Sequence, residues 1–172
     1  MIDAREIERV YRELGHVVLR RARVLLRSDA EARDVLHDVF EDLLARPEQL
    51  DGVERRTAWL YRVTTNRCLK RIRERDGRAR ILRSIGADEE TRRGAEAAER
   101  RATSAAAEEV ARARELLGRL PSPLAEVAVY YHIDGMTHEE IARIIGCSRR
   151  HVGDLLVVLQ RWSNDHVVAR AQ

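Results

Sequence analysis

The sequence predicts an all-α protein of two small helical domains that a flexible linker joins. Charged residues make up 35% of the 172 residues and aromatic residues only 4%. This composition favours amphipathic helices with solvated faces over a sheet-rich core. Residues 84–107 hold glycines, many alanines and few large apolar side chains, and they separate two regions of helical periodicity. We therefore expect a first domain over residues 1–83, a linker over residues 84–107 and a second domain over residues 108–172.

The first domain is predicted to begin with two amphipathic helices. Residues 3–27 carry apolar residues at helical spacing, and Asp3 with Glu6 forms a candidate capping box at the start. Residues 29–45 have the most regular apolar stripe of the chain, and Ser28 stands at the capping position. Each segment should fold as a helix that buries one face.

A polar loop and a third helix are predicted next. Residues 48–56 are polar and contain the turn signal Asp51-Gly52. The third helix should run from about Thr57 to the late seventies. Its apolar pattern is less regular, because residues 64–66, Thr-Thr-Asn, interrupt it.

The second domain contains a pattern typical of a helix-turn-helix. Thr137 can cap a helix while Glu140 reaches back to it, Gly146 stands where the chain needs a turn, and Ser148 can cap a second helix. Apolar residues recur at helical spacing after Ser148. In this layout the second helix normally enters the DNA major groove. The alternative is an ordinary αα-hairpin without a role in DNA binding.

Charge is segregated along the first domain. Residues 31–54 carry eight acidic side chains and two arginines, and the second helix presents Asp34, Asp38 and Glu41 on one face. Residues 62–83 carry nine basic and only two acidic side chains. A basic helix with aromatic residues at its start is typical of phosphate contacts combined with base stacking. The alternative is that two solvated helix faces attract each other.

The sequence predicts no cofactor, no metal site and no enzyme. Cys68 and Cys147 stand far apart, so we expect two small, buried and reduced thiols. The chain shows no nucleophile–base pair and no glycine-rich phosphate loop, so an enzyme is the least favoured class. It also has no signal-peptide pattern and no long apolar run, which predicts a cytoplasmic protein without membrane insertion.

Four segments in this order resemble a known family. They read DAEARDVLHDVF at residues 29–40, AWLYRVTTNRCL at 58–69, LPSPL at 120–124 and DGMT at 134–137. Together they are similar to the small bacterial RNA polymerase sigma factors of the extracytoplasmic-function group, over nearly the whole chain. The first domain resembles region two and the second resembles region four. Larger sigma factors have a further domain between these regions, where this chain has only the predicted linker.

The resemblance implies a factor that confers promoter specificity on core RNA polymerase. Region two would dock on the β′ clamp through Asp34, Asp38 and Glu41, and the loop from Pro47 to Arg56 would capture a flipped base of the minus-ten element. The helix that follows would open the promoter duplex, and its implied contacts are Trp59, Arg62, Asn66, Arg67, Lys70 and Arg71.

Region four would touch the polymerase β flap and read the minus-thirty-five element. Its implied DNA contacts are Thr137, Ser148, Arg149, Arg150 and His151. The resemblance also implies an anti-sigma factor as a partner, besides core polymerase and promoter DNA.

The chain departs from the family pattern at two points. His37 stands where the family usually has glutamine. Residues 120–172 carry five basic and six acidic side chains, and after its first turn the second helix of the helix-turn-helix offers Gly153, Asp154, Val157 and Val158. Two alternatives therefore stay open. One is a sigma-like adaptor that binds polymerase or an anti-sigma factor without reading a promoter. The other is a stand-alone helix-turn-helix regulator, which would leave the charged helices of the first domain unexplained.

Overall fold

A computed structural model describes residues 3–50, 56–84 and 105–168, and within these ranges it contains seven α-helices and no β-strand. The predicted all-α fold is therefore confirmed. The helices are α1 (Ala4–Leu26), α2 (Asp29–Ala45), α3 (Arg56–Ser84), α4 (Ala105–Arg119), α5 (Ser122–Ala128), α6 (His138–Ile145) and α7 (Arg149–Val168).

A two-residue connection joins α1 to α2. The Asp3 carboxylate accepts the amide of Glu6 at 2.9 Å, and the Ser28 hydroxyl accepts the amide of Glu31 at 3.3 Å, so both N-caps form. The Glu6 carboxylate binds the guanidiniums of Arg9 and Arg56, so the capping box predicted for Asp3 and Glu6 is only half formed. Arg27 ends α1 in the left-handed conformation, with a φ of 51°. The two helices pack through buried apolar side chains, which include Ile7, Val10, Val18, Leu25, Val35, Val39 and Phe40.

Residues 64–66 do not interrupt α3. Thr64 and Thr65 are buried, and their hydroxyls donate to the carbonyl oxygens of Leu60 and Tyr61 at 2.6 and 2.8 Å. This bonding to the preceding turn satisfies a buried hydroxyl within a continuous helix. The helix ends at Ser84, beyond the end in the late seventies that the sequence predicts.

The segment predicted as a polar loop begins instead as a short helix. Pro47–Leu50 forms a 3₁₀ turn, in which the Gln49 amide donates to the Arg46 carbonyl at 3.2 Å. The loop prediction was wrong here because Leu50 is apolar and is buried. Residues 51–55, with the predicted Asp51-Gly52 turn, lie outside the described residues.

The helix-turn-helix has the caps that its sequence predicts. The Thr137 hydroxyl accepts the Glu140 amide at 3.3 Å, and the Glu140 carboxylate accepts the Thr137 amide at 2.8 Å, which completes a capping box. Gly146 ends α6 with a φ of 75°, a conformation that glycine adopts without strain. The Ser148 hydroxyl accepts the amide of His151 at 3.1 Å and caps α7.

Only part of the apolar stripe of α7 lies in the core of this motif. Val152 and Leu159 of α7 are buried, whereas Leu155 and Leu156 are half-buried. Cys147 is also half-buried, so the expectation of two buried thiols holds only for Cys68. Cys147 is partly exposed because it lies in the short turn between α6 and α7.

A single π-helical turn over Val129–Ile133 continues α5. The Asp134 amide donates to the Val129 carbonyl at 3.1 Å, five residues back, and the Met136 amide donates to the Tyr130 carbonyl at 3.0 Å. Tyr130 is fully buried. Turns of this kind are often found at functional sites, because they shift the following side chains out of α-helical register.

The chain contacts divide the molecule into two compact units. One unit contains residues 1–69 and 122–172, and the other contains residues 70–121. In the second unit Gly118 packs so closely on Asp76 that a methyl group there would overlap the carboxylate. Most of the predicted linker, residues 85–104, lies outside the described residues, so the predicted domain boundaries stay a prediction.

Candidate nucleic-acid and protein interface

The acidic face of α2, which we define as Asp34, Asp38 and Glu41, lies away from the buried stripe of the helix. Asp34 and Glu41 are exposed, and Asp38 is half-buried. Positions i, i+4 and i+7 of a helix lie on one side, so the three carboxylates share an edge. This edge can present negative charge to a basic partner.

An apolar groove between α1 and α2 adjoins the acidic face. Tyr11 and Leu44 line it with 42% and 56% of their surface exposed, and Phe40 forms its floor. Glu8 and Glu41 also line this groove. Exposed apolar side chains rimmed by charged residues are typical of protein–protein contact sites.

Asp42 lies beside the acidic face, and two arginines of the chain bind its carboxylate. Its Oδ1 lies 2.9 Å from Nη2 of Arg46, and its Oδ2 binds the guanidinium of Arg67. The resemblance implies a minus-ten contact for Arg67, but here this side chain links α3 to α2. The Arg67–Asp42 pair therefore agrees with the alternative interpretation, in which the acidic and basic helices attract each other.

Trp59, Arg62 and Asn66 lie on one side of α3, at positions i, i+3 and i+7. All three are half-buried. The Arg62 Nε lies 3.6 Å from the Glu126 Oε2 of α5. The Asn66 Oδ1 is buried and has no hydrogen-bond partner in the described part of the chain. An unsatisfied amide oxygen of this kind is costly, so a donor from a ligand would stabilise it.

The two remaining predicted minus-ten residues lie further along α3. Lys70 is exposed, whereas the other five predicted residues of this set are half-buried. The Lys70 Nζ lies 3.9 Å from the Glu74 Oε1, a weak surface pair that leaves the ammonium accessible. Arg71 already interacts with other groups of the protein.

The five predicted minus-thirty-five residues are all exposed. Arg149 and Arg150 stand in the first turn of α7, and neither lies within ion-pair distance of an acidic group in the described residues. Both guanidiniums can therefore contact an external ligand. The hydroxyls of Thr137 and Ser148 cap the two helices, so their first role is structural.

Val157 and Val158 form an exposed apolar patch on α7, with 52% and 47% of their surface exposed. They lie two turns beyond Arg149 and Arg150. No basic residue stands between Arg150 and Arg161 in the sequence. The patch is thus better able to contact protein than phosphate.

Sequence reasoning missed Arg21, which is 5% exposed. Its guanidinium donates to both carboxylate oxygens of Asp134, at 2.6 and 2.8 Å, and its Nε donates to the Thr65 hydroxyl at 3.1 Å. The guanidinium also lies 4.3 Å from the ring centre of Tyr61. One signal was available: Arg21 occupies an apolar-stripe position of α1, three residues after Val18.

Burial changes the ionisation of the two tyrosines beside Arg21. Burial raises the pKa of the Tyr61 phenol to about 12, although the positive charge of Arg21 opposes the change. Burial also raises the pKa of the Tyr130 phenol. Both phenols are neutral near pH 7, and their rings lie against the guanidinium of Arg21.

Part of the chain matches a known family. Residues 10–78 match a family model described as Sigma-70 region 2. The matched span contains the acidic face and all six predicted minus-ten residues. A comparison with curated proteins finds no significant match.

Two further findings concern the described helices and side chains. None of the described helices is both long enough and apolar enough to cross a membrane. Within the described ranges, no group of His, Cys, Asp and Glu side chains could hold a metal ion. Residues 10–78 are thus similar to a sigma-70 region 2 domain over about two fifths of the chain.

Proposed function

We propose that this chain is a sigma factor of the extracytoplasmic-function group that directs core RNA polymerase to specific promoters. The observation that carries the proposal is the match of residues 10–78 to sigma-70 region 2. The charge distribution agrees with it, because an acidic face on α2 precedes a basic α3 in the same matched span. The partners in this proposal are core polymerase, promoter DNA and an anti-sigma factor, and the location is the cytoplasm.

The acidic face and the adjoining groove are the proposed contact with the polymerase β′ clamp. Asp34, Asp38 and Glu41 supply charge, while Tyr11 and Leu44 supply exposed apolar surface. Charge pairs guide association and select the partner, and burial of the apolar side chains adds affinity.

The side of α3 that carries Trp59, Arg62 and Asn66 is the proposed minus-ten surface. Promoter opening needs no covalent chemistry, so the protein has only to hold unstacked bases and their phosphates. An aromatic ring can replace the lost base stacking, which contributes about 1–3 kcal/mol per base. Arg62 and the exposed Lys70 can contact the strand backbone, which makes the interaction salt-dependent.

The first turn of α7 is the proposed minus-thirty-five surface, and the same domain would touch the β flap. Arginine can bond to guanine through two hydrogen bonds, and Arg149 and Arg150 are exposed where a recognition helix presents such contacts. Because one polymerase would hold both DNA-reading surfaces, each weak contact gains from the high local concentration of the other.

A second candidate function is a sigma-like adaptor that binds polymerase without reading a promoter. The observation that favours it is the net charge of −1 over residues 120–172, with five basic and six acidic side chains. The exposed Val157 and Val158 agree with a protein partner for α7.

In vitro transcription with core polymerase and a library of promoter fragments distinguishes these functions. Initiation at a defined subset of fragments, only when the chain is added, supports the sigma factor. Polymerase binding without initiation would instead support the adaptor. Tight binding to one operator without polymerase would identify a stand-alone regulator, the third function that the sequence leaves open.

A further inference from the structure

One face of α7 is exposed and lies opposite the side that packs on α5 and α6. The packed side contains the buried Val152 and Leu159. Because successive residues of a helix are rotated by about 100°, the six exposed side chains of the opposite side lie close together in one stripe. We define them as the outer face of α7: Arg150, Asp154, Val157, Val158, Arg161 and Asp165.

The charges of the outer face are arranged symmetrically about its two valines. Asp154 stands three residues before the first valine, and Arg161 stands three residues after the second. Arg150 and Asp165 stand seven residues away on the same two sides. Each charged side chain therefore has a side chain of opposite sign at the same distance beyond the valines.

Two copies of this face are complementary in an antiparallel arrangement. A two-fold axis between the valines brings the same patch of both copies into contact, as a symmetric dimer requires. Asp154 of one copy then lies opposite Arg161 of the other, and Arg150 lies opposite Asp165. Packed helices stand roughly 8–10 Å apart between their axes, so these side chains can meet across the interface.

Other pairings of the two faces are unfavourable. In a parallel pair, each charged side chain would face its own counterpart, and like charges repel each other. A shift of the antiparallel pair by about one helical turn would place Arg150 opposite Arg161, or Asp154 opposite Asp165. The unshifted pair also brings Arg150 near the carboxyl end of the other α7, where the helix dipole favours positive charge. The charge pattern therefore favours one orientation and one register.

We propose that the outer face of α7 binds a second copy of this chain in an antiparallel dimer of low affinity. Within the ranges that the structure describes, none of its four charged side chains lies within ion-pair distance of an opposite charge, so each can pair with another molecule. Two valines per copy, 52% and 47% exposed, are its apolar contribution. Because interfaces below about 1,200 Å² are mostly weak and transient, we expect a dissociation constant of about 1–100 µM.

Dimer formation has a consequence for DNA binding by α7, and this consequence rests on the proposed function. Arg150 is one of the two arginines proposed to read the minus-thirty-five element. While its guanidinium faces Asp165 of the second copy, it cannot bond to a base. A second copy and promoter DNA therefore compete for α7.

Sedimentation velocity of the full chain over a range of concentrations tests the dimer. Asp154→Arg should dimerise at least about tenfold more weakly, because two positive charges then face each other. Arg161→Asp should do the same with two negative charges. An equimolar mixture of the two variants should associate about as tightly as the unchanged chain, because opposite charges face each other again in the mixed dimer. The matched control is Glu109→Arg, the same charge change at an exposed position of α4, which should dimerise normally.

A mixture of the two variants that stays monomeric would overturn the proposal, and so would equal dimerisation of Asp154→Arg and the control. An unchanged chain that is monomeric up to about 1 mM also overturns it. If that monomeric chain loses affinity for core polymerase through Asp154→Arg, the face binds polymerase instead. If circular dichroism shows that either variant is unfolded, Val158→Lys replaces it, because an ammonium group at the symmetry axis weakens the same interface. Unchanged dimerisation of that variant overturns the proposal.

The number of copies bound at a promoter tests the competition. A complex of core polymerase and a promoter fragment should contain one copy of the chain, at a chain concentration that gives dimers in free solution. Two copies joined through α7 on the fragment would overturn the competition and leave the dimer standing. Failure of the proposed function appears separately, as a chain that dimerises but initiates transcription at no promoter.

Discussion

Arg21 and Asp134 are 113 residues apart in the chain, and they form a two-bond ion pair in which both side chains are almost inaccessible. The Arg21 Nε also donates to the Thr65 hydroxyl. One arginine of α1 thus connects α3 with the turn before the helix-turn-helix. Truncating either partner would leave the other charge buried and unpaired, so the pair matters most as a constraint on arrangement.

The acidic face should be a polymerase contact and not a determinant of the fold. The variant Asp34→Ala with Asp38→Ala should change the free energy of unfolding by less than about 0.5 kcal/mol, as surface substitutions usually do. Its affinity for core polymerase should fall, measured by fluorescence titration. Glu109→Ala with Asp165→Ala removes the same charge from exposed positions of α4 and of the C-terminal end of α7, and it serves as the control. Equal affinities of the two double variants would remove the evidence for docking through α2.

Arg149 and Arg150 should carry most of the DNA recognition by α7. A guanine contact through two hydrogen bonds discriminates by roughly 1–3 kcal/mol, and Gly153, Asp154 and Val157 cannot replace it. The variant Arg149→Ala with Arg150→Ala should lose initiation at promoters that depend on the minus-thirty-five element. It should still bind core polymerase. Arg5→Ala with Arg12→Ala, two exposed arginines of α1, controls for net charge. Wild-type initiation by the α7 variant would show that these two arginines do not read the minus-thirty-five element.

Arg62 and Arg67 should differ in role although both are half-buried on α3. Arg67 binds Asp42, so Arg67→Ala should lower the free energy of unfolding by about 0.5–1 kcal/mol. A double-mutant cycle with Asp42→Ala measures this coupling. Arg62→Ala should instead reduce binding of single-stranded minus-ten DNA by the polymerase complex. The assignment fails if Arg67→Ala shows no coupling to Asp42, or if Arg62→Ala leaves DNA binding unchanged.

Asp76 should destabilise the fold at neutral pH. Burial raises the pKa of its carboxyl, and its Oδ2 is buried without a hydrogen-bond partner among the described residues. Because the pKa of Asp76 is higher in the folded protein than its value of 3.8 in the unfolded chain, the protonated carboxyl favours folding. This contribution is fully present below pH 3.8 and is lost as the pH rises through the pKa of the folded state. Asp76→Asn should therefore increase the free energy of unfolding at pH 7 and change it little near pH 3. Urea denaturation at both pH values measures this, and an equal change at both would contradict it.

Local signals in the sequence predicted the helix-turn-helix well. The capping box of Thr137 and Glu140, the glycine turn and the Ser148 cap depend on neighbours within four residues, so the sequence contains the whole interaction. The exposure of Arg149 and Arg150 followed from their place at a helix start.

Interactions between distant segments could not be predicted in this way. The partners of Arg21, Arg62 and Arg67 come from other segments of the chain. Helical periodicity predicts whether a side chain is buried or exposed, but it does not predict which residue the side chain contacts. The bonding of Thr64 and Thr65 to their own helix was also missed, because a polar side chain was taken as an interruption of the apolar stripe.

Strand opening at a promoter distinguishes a transcription initiation factor from the other functions. Core polymerase, a promoter fragment selected from the library and this chain are mixed, and unpaired thymines are detected by their reaction with permanganate. We expect reactive non-template thymines in the minus-ten region only when both polymerase and chain are present, and fewer of them with Trp59→Ala. An unreactive duplex, with the chain bound to polymerase, would contradict the claim that this protein initiates transcription.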